Sequence, residues 1–143
     1  MTSDMTCIFC RIINSQITAL VLHQNDHAVA LLDAFPLSVG HTLVIPKIHY
    51  PKLQDMDIDS TGSVFSLVRK ICAALEKAVN VKSTTIAIHN GREAGQEIPH
   101  VHVHIVPRTE LDGAGPIHTM FKRRPALNAG QLDLIYRNIK NLL

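Results

Sequence analysis

His100-Val101-His102-Val103-His104-Ile105-Val106 sets three histidines in strict alternation with apolar residues. A β-strand turns its side chain to the same face at every second residue. The three imidazoles therefore share one face, and Val101, Val103 and Ile105 share the other. The apolar face can pack into a core. The histidine face offers three rings able to act as nucleophile, proton donor or metal ligand near neutral pH. Folding does not require that row, since Thr or Val there would cost less to desolvate. Pro99 at the entry, where a missing N–H is tolerated, and Pro107 at the exit bound the expected strand.

Either side of this stretch the pattern is that of an α+β domain. Thr18–His23 and Ala28–Leu32 are apolar runs around Gln24-Asn25-Asp26, which reads as a hairpin. Thr42–Ile45 is a short buried strand between Gly40 and Pro46, and Thr84–His89 is a further strand rich in Thr and Ile. Val64, Leu67, Val68, Ile71, Leu75, Ala78 and Val79 recur at helical spacing, so residues 60–80 form the long helix, with Asp59 or Ser60 as N-cap. Residues 9–14 make one or two helical turns, and Leu132, Ile135, Ile139 and Leu142 mark a C-terminal helix. Five short strands, mostly hairpin-linked, with one long helix and short helices at each end give an antiparallel sheet in a single domain spanning 1–143.

Bulk properties narrow the function. The 143 residues, 46% of them apolar, suit one core. A net charge of +2 argues against nucleic acid as a partner, and the Lys122-Arg123-Arg124 cluster reads as solvated surface. No apolar run reaches the length of a membrane span, and residues 1–5 lack a signal-peptide pattern, so a soluble cytoplasmic protein is expected. Three cysteines do not make a disulfide framework. Cys72 falls on the apolar face of the long helix and reads as core. Cys7 and Cys10 form a C-x-x-C pair. The βαβ context of a redox motif is absent, zinc would need two more ligands, and buried thiols are the plain alternative.

The histidine row itself has three readings. One is a surface strand that happens to hold histidines. A second is a catalytic metal site, weakened because no carboxylate follows before Glu110. The third is covalent catalysis, since neutral imidazole attacks phosphorus well and the phospho-imidazole is labile. The loop Asn90-Gly91-Arg92-Glu93-Ala94-Gly95-Gln96 runs straight into the row and suits phosphate oxygens through its backbone N–H groups.

These segments resemble the histidine-triad (HIT) family of nucleotide hydrolases and transferases. His100–Val106 matches the family's HφHφHφφ pattern, with φ apolar. Cys7-Ile-Phe-Cys-Arg-Ile-Ile13, Gly40-His-Thr-Leu-Val-Ile-Pro-Lys47 and Ala94-Gly-Gln-Glu-Ile-Pro-His100 resemble further family segments in order and spacing. The resemblance covers residues 5 to 108, and no motif covers the last 35.

The resemblance implies an antiparallel sheet with a long helix and a homodimer whose sheets join. It also implies hydrolysis at an α-phosphate of a purine nucleotide, either an adenosine phosphoramidate or a dinucleoside polyphosphate. In that reading His102 attacks phosphorus, with the His100 carbonyl fixing its tautomer; His104 assists the leaving group and His41 supports the site. Asn90, Gly95 and Gln96 would contact phosphate oxygens. Glu97 stands where many relatives have Ser or Thr, which puts a leaving-group contact from that side chain in doubt. Ile8, Phe9, Ile12 and Leu43 would line the base pocket, against the alternative of ordinary core. Asp33 would bind the ribose hydroxyls, against the alternative of a turn residue before Pro36. In one branch of the family, Cys7, Cys10, His49 and His100 would hold one structural zinc. Activity should then fall as pH drops through the histidine range, about 5 to 6.5. Two rivals remain: a nucleotide-binding scaffold with incidental turnover, and a hydrolase with catalytic zinc at the triad.

Overall fold

Alternating side chains give each strand of the protein two usable faces, and both are used. A computed structural model describes residues 5–143. Its five strands are β1 (Val21–Gln24), β2 (Ala28–Leu32), β3 (Thr42–Pro46), β4 (Ser83–Ala87) and β5 (Val103–Arg108). They form one sheet in the order β1-β2-β3-β5-β4, with every neighbouring pair antiparallel. The helices are α1 (Ile8–Ile13), α2 (Ile58–Ala78) and α3 (Ala129–Lys140). The expected α+β architecture is the one observed. Among the described residues, no helix is long and apolar enough to cross a membrane.

One face of the sheet packs on α2. Ala28, Ala30, Val44, Val103 and Ile105 meet Val64, Leu67, Val68, Ile71 and Leu75 there. These helix residues recur at three and four, so they line one stripe. The stripe is shorter than the sequence pattern, since Ala78 is exposed and Val79 already caps the C-terminus. The N-cap is Asp57, not Asp59 or Ser60. Its Oδ1 accepts the Ser60 N–H at 2.6 Å, so the helix starts at Ile58, two residues before the expected position 60.

The opposite face carries α1 and the polar site. Val29, Leu31, Leu43 and Ile45 pack there with Cys7, Phe9 and Cys10. Asp33 and His41 sit just beyond the ends of β2 and β3, and the Asp33 N–H donates to the His41 carbonyl at 2.9 Å. Gly40 feeds this turn with φ +88; a Cβ there would come within 3.0 Å of Val79 Cγ1.

Several strand boundaries differ from expectation, among them β4, which is Ser83–Ala87 rather than Thr84–His89. The triad stretch is regular strand only from Val103, because the Val101 N–H donates to the Tyr50 carbonyl instead of a neighbouring strand. At the other end β5 runs through Pro107, which pairs with Thr84. Proline fits because β3 contacts β5 only as far as Ile105. Its carbonyl is satisfied by the Ser38 hydroxyl at 2.8 Å. β1 likewise begins at Val21 rather than Thr18, as the Val21 N–H turns back to the Ala19 carbonyl.

The described chain falls into two compact units, one ending at Asp112 and one spanning Gly113–Leu143. The second holds a short 3-10 turn, Ile117–Met120, and α3, whose N-cap Asn128 forms a capping box with Gln131.

Candidate functional site

Parity builds the site. Leu43 pairs with His104 and Ala87 pairs with His104 from the other side, so all three lie on the face opposite α2. Stepping by two residues brings His41, His102 and His89 to that same face. Four imidazoles thus gather beside α1: the His102 and His104 ring centroids are 5.0 Å apart, His41 and His104 5.2 Å, and His89 and His104 5.4 Å.

Hydrogen bonds fix which nitrogen of each ring carries the proton. The His102 Nδ1–H donates to the His100 carbonyl at 2.8 Å, which leaves Nε2 as a bare lone pair. The Leu37 N–H donates to His41 Nδ1 at 3.1 Å, so His41 Nε2 bears hydrogen. That N–H donates to His104 Nδ1 at 3.0 Å, which puts the His104 proton on Nε2. Among the described residues, His104 Nε2 is the one buried side-chain nitrogen or oxygen without a hydrogen-bond partner. A nucleophilic lone pair and an unused N–H donor therefore stand side by side.

Electrostatics keeps these rings neutral. Burial lowers His102 below the ordinary histidine value, and the facing His89 adds to it. Burial and the neighbouring His102, His41 and His89 rings bring His104 down from 6.5 to about 4. His41 is lowered by burial, against the opposing pull of Asp33, whose Oδ2 lies 3.5 Å from its Nδ1.

A second cluster adjoins the first. Cys7 is the N-cap of α1 and Cys10 lies one turn along, so both thiols point the same way. The backbone bond from Val101 to Tyr50 draws His49 against His100. The His100 Nε2–H donates to the Pro46 carbonyl at 2.9 Å, leaving Nδ1 unprotonated towards the thiols. That nitrogen is 3.5 Å from Cys7 Sγ, 3.6 Å from Cys10 Sγ and 3.2 Å from His49 Nδ1, and Cys10 Sγ is 3.3 Å from His49 Nδ1. The four ligand atoms lie within 4.8 Å of one another, a set that could hold a metal ion. Burial lowers His100 to about 4, which keeps it a neutral ligand. Asp33, His41 and His104 make another set within that reach. There both His41 nitrogens and Asp33 Oδ1, which accepts the Phe35 N–H at 2.8 Å, are already engaged.

The remaining expected residues are placed unevenly. Phe9 is buried and lies against His102 at 5.2 Å and His100 at 5.6 Å, and Leu43 is buried beside it. Ile12 is half-buried and Ile8 is exposed. The residues expected at phosphate are committed elsewhere. Asn90 accepts the Leu53 N–H at 2.8 Å and donates to Gln54 Oε1 at 2.9 Å. Gln96 accepts the Gly91 N–H and donates to the Pro51 and Ile98 carbonyls. The Gly95 N–H donates to the Arg92 carbonyl. These bonds hold the shape of the loop. The residue that sequence reading passed over is His89, and strand alternation from the triad's partner Ala87 is the signal that finds it.

Comparison with known proteins follows the geometry. The HIT domain family matches residues 14–111. The adenylylsulfatase HINT3 of Arabidopsis thaliana is 42% identical over 111 residues, 78% of this chain and 56% of that one. The adenosine 5'-monophosphoramidase hnt1 of Schizosaccharomyces pombe is 38% identical over 104 residues, 73% of this chain and 75% of that one. Among solved structures, a member of the HIT family from Bacillus subtilis superposes with a TM-score of 0.85 at 30% identity, covering 96% of this chain and 97% of that one. A Zn-bound histidine triad family protein from Mycobacterium smegmatis gives a TM-score of 0.74 at 31% identity, covering 87% and 86%. With its fold, its triad and these matches in agreement, the chain belongs to the HIT domain family.

Proposed function

We propose that the protein is a nucleotide hydrolase that works through a nucleotidyl group on His102. The observation that carries this reading is the pairing of a bare His102 Nε2 with the N–H of His104 Nε2, both set by hydrogen bonds to the protein. Named relatives that are hydrolases support it. The steps balance as follows. His102 Nε2 bonds to the α-phosphorus as the bond to the leaving atom breaks; His104 Nε2–H donates a hydrogen bond to that atom, which takes its proton from solvent. The His100 carbonyl holds the Nδ1–H of the imidazolium that forms. Water then attacks phosphorus and loses its proton to solvent, and the P–N bond breaks, returning His102 to its neutral form with Nε2 bare. His41 holds His104 in the tautomer that starts the cycle.

The thiol–imidazole cluster fits zinc. Bond lengths of about 2.3 Å to sulfur and about 2.0 Å to nitrogen set tetrahedral edges of about 3.5 Å between S and N and about 3.3 Å between two N. The observed 3.3 to 3.6 Å and 3.2 Å separations agree. Cys7, Cys10, His49 and His100 would fill all four positions, so the ion would be structural and would stiffen the stretch before His102. The Cys7–Cys10 pair thus fits a zinc-binding branch of the family.

The phosphoramidate and dinucleoside polyphosphate readings part on a substrate panel. Adenosine phosphoramidate and diadenosine polyphosphate are each incubated with the protein, and the His102 peptide is weighed by mass spectrometry. An adenylyl adduct on His102 together with turnover is expected. Nucleotide binding without adduct or turnover would instead make the protein a scaffold. We further propose a cytoplasmic homodimer, for which sedimentation at twice the chain mass is the check.

A further inference from the structure

The α2 side of the sheet holds a polar cluster that the nucleotide chemistry does not use. It begins with an irregularity in β1. Val21 pairs with Leu31, but His23 pairs with Ala30 and Gln24 with Val29, a register shift between Val21 and His23. In the register of Val21, His23 would stand opposite Val29, which packs beside α1. After the shift it stands opposite Ala30, which packs against α2. A slip of one residue turns a side chain to the other face, and a bulge does this locally. The irregularity therefore delivers an imidazole to the helix side.

On α2, Ser66, Lys70 and Ala73 follow one another at helical spacing, with Arg69 beside them. The Lys70 ammonium donates to His23 Nε2 at 2.8 Å. An ammonium only donates, so Nε2 is the acceptor and the ring hydrogen sits on Nδ1. These residues line a groove of about 540 Å³ together with Asn25. The Asn25 amide is already committed: Nδ2 donates to the Ser63 carbonyl at 2.9 Å and Oδ1 accepts the Ala28 N–H at 2.8 Å.

The groove is rich in donors and poor in acceptors. No acidic side chain lines it, and among the described residues neither Arg69 nor Lys70 pairs with a carboxylate. The Arg69 guanidinium, two N–H groups of Lys70, the His23 Nδ1–H and the Ser66 hydroxyl can all donate. Two neighbouring cations without a counter-charge repel each other. An anion between them removes that repulsion and accepts several charge-assisted hydrogen bonds at once. A phosphate group, with its high charge and acceptor oxygens, matches such a donor set.

We propose that this groove binds a phosphate group at a site separate from the triad, on the opposite face of the sheet. Inorganic phosphate and a nucleoside monophosphate share the chemistry it recognises.

The test is a proton–nitrogen correlation NMR titration of the full chain with sodium phosphate and, separately, with AMP, each matched by sodium chloride at equal ionic strength. With at least one of the two ligands, the amides of His23, Ser66, Arg69 and Lys70 should shift and saturate at about millimolar concentration. Replacing both cations, Arg69→Gln with Lys70→Gln, should weaken that binding at least about tenfold, whereas Lys70→Arg should keep it within about threefold. Thermal melting checks that the variants fold. Saturation by inorganic phosphate supports a site for the free group, and saturation by AMP alone supports one for the nucleotide. Shifts that never saturate, that chloride reproduces, or that persist unweakened in the double variant would overturn the site.

Discussion

A neutral imidazole has one N–H and one lone pair, and this site depends on which nitrogen holds which. The His100 carbonyl decides for His102, while Leu37 decides for His41 and, through it, for His104. His102→Gly should keep fold and metal content while lowering turnover by at least about 1000-fold, measured as steady-state kcat with circular dichroism as control. The pH dependence follows from the same rings. Protonation of His102 removes the nucleophile, and burial lowers its value, so activity is lost as pH falls and at lower pH than an ordinary histidine would give. The acid limb should therefore lie below that of an unperturbed histidine, readable in a kcat/KM profile. Stability moves in the same direction. His104 is lowered from 6.5 to about 4, so the unfolded chain takes up protons first; its contribution is full above 6.5 and lost as pH falls towards 4. Denaturant midpoints between those pH values should fall with pH. The triad and His41 were legible as residues, because alternation and motif need only the order of the chain. The tautomer at His41 was not, since its partner Leu37 lies in an irregular loop.

At the scale of elements, period two on strands explains both what was read correctly and what slipped. The same rule that put the triad on one face places His89, not its neighbour Asn90, towards it. Reading residues 90–96 as one loop hid this, because the phase of β4 had not been carried past Ala87. The first turn of α1 does comparable work for the metal cluster, holding Cys7 and Cys10 on one side for His49 and His100. With zinc at this cluster as proposed, Cys7→Ala should abolish zinc binding and lower the melting temperature by about 10 °C or more, with the His102 peptide still chemically reactive; one zinc per chain in that variant, by elemental analysis, would contradict the ligand set. On the other face, Leu67 is 2% exposed in the stripe that α2 lays against the sheet. Leu67→Ala should cost about 3 kcal/mol in denaturant unfolding, since the cavity left in a packed core collapses only in part.

For the whole molecule, the sheet is the device that joins distant pieces. His41 and His104 are 63 residues apart and Cys7 and His100 are 93 apart, yet each pair is in contact. All of the site residues lie in the unit ending at Asp112. A chain ending there should retain circular dichroism, metal content and adduct formation within about threefold, because no group used in the chemistry is removed. By itself the sequence determined the fold class and the triad, because periodicity is a property of residue order, and its family resemblance singled out the two thiols and two imidazoles that the structure gathers. Only the tertiary structure decided how those groups differ. It assigned His41 and His104 their protons, took Asn90 and Gln96 into the loop, and brought His89 beside the triad. The contacts of His41 with His104 and of Leu53 with Asn90 join segments far apart in sequence, and no local pattern records them.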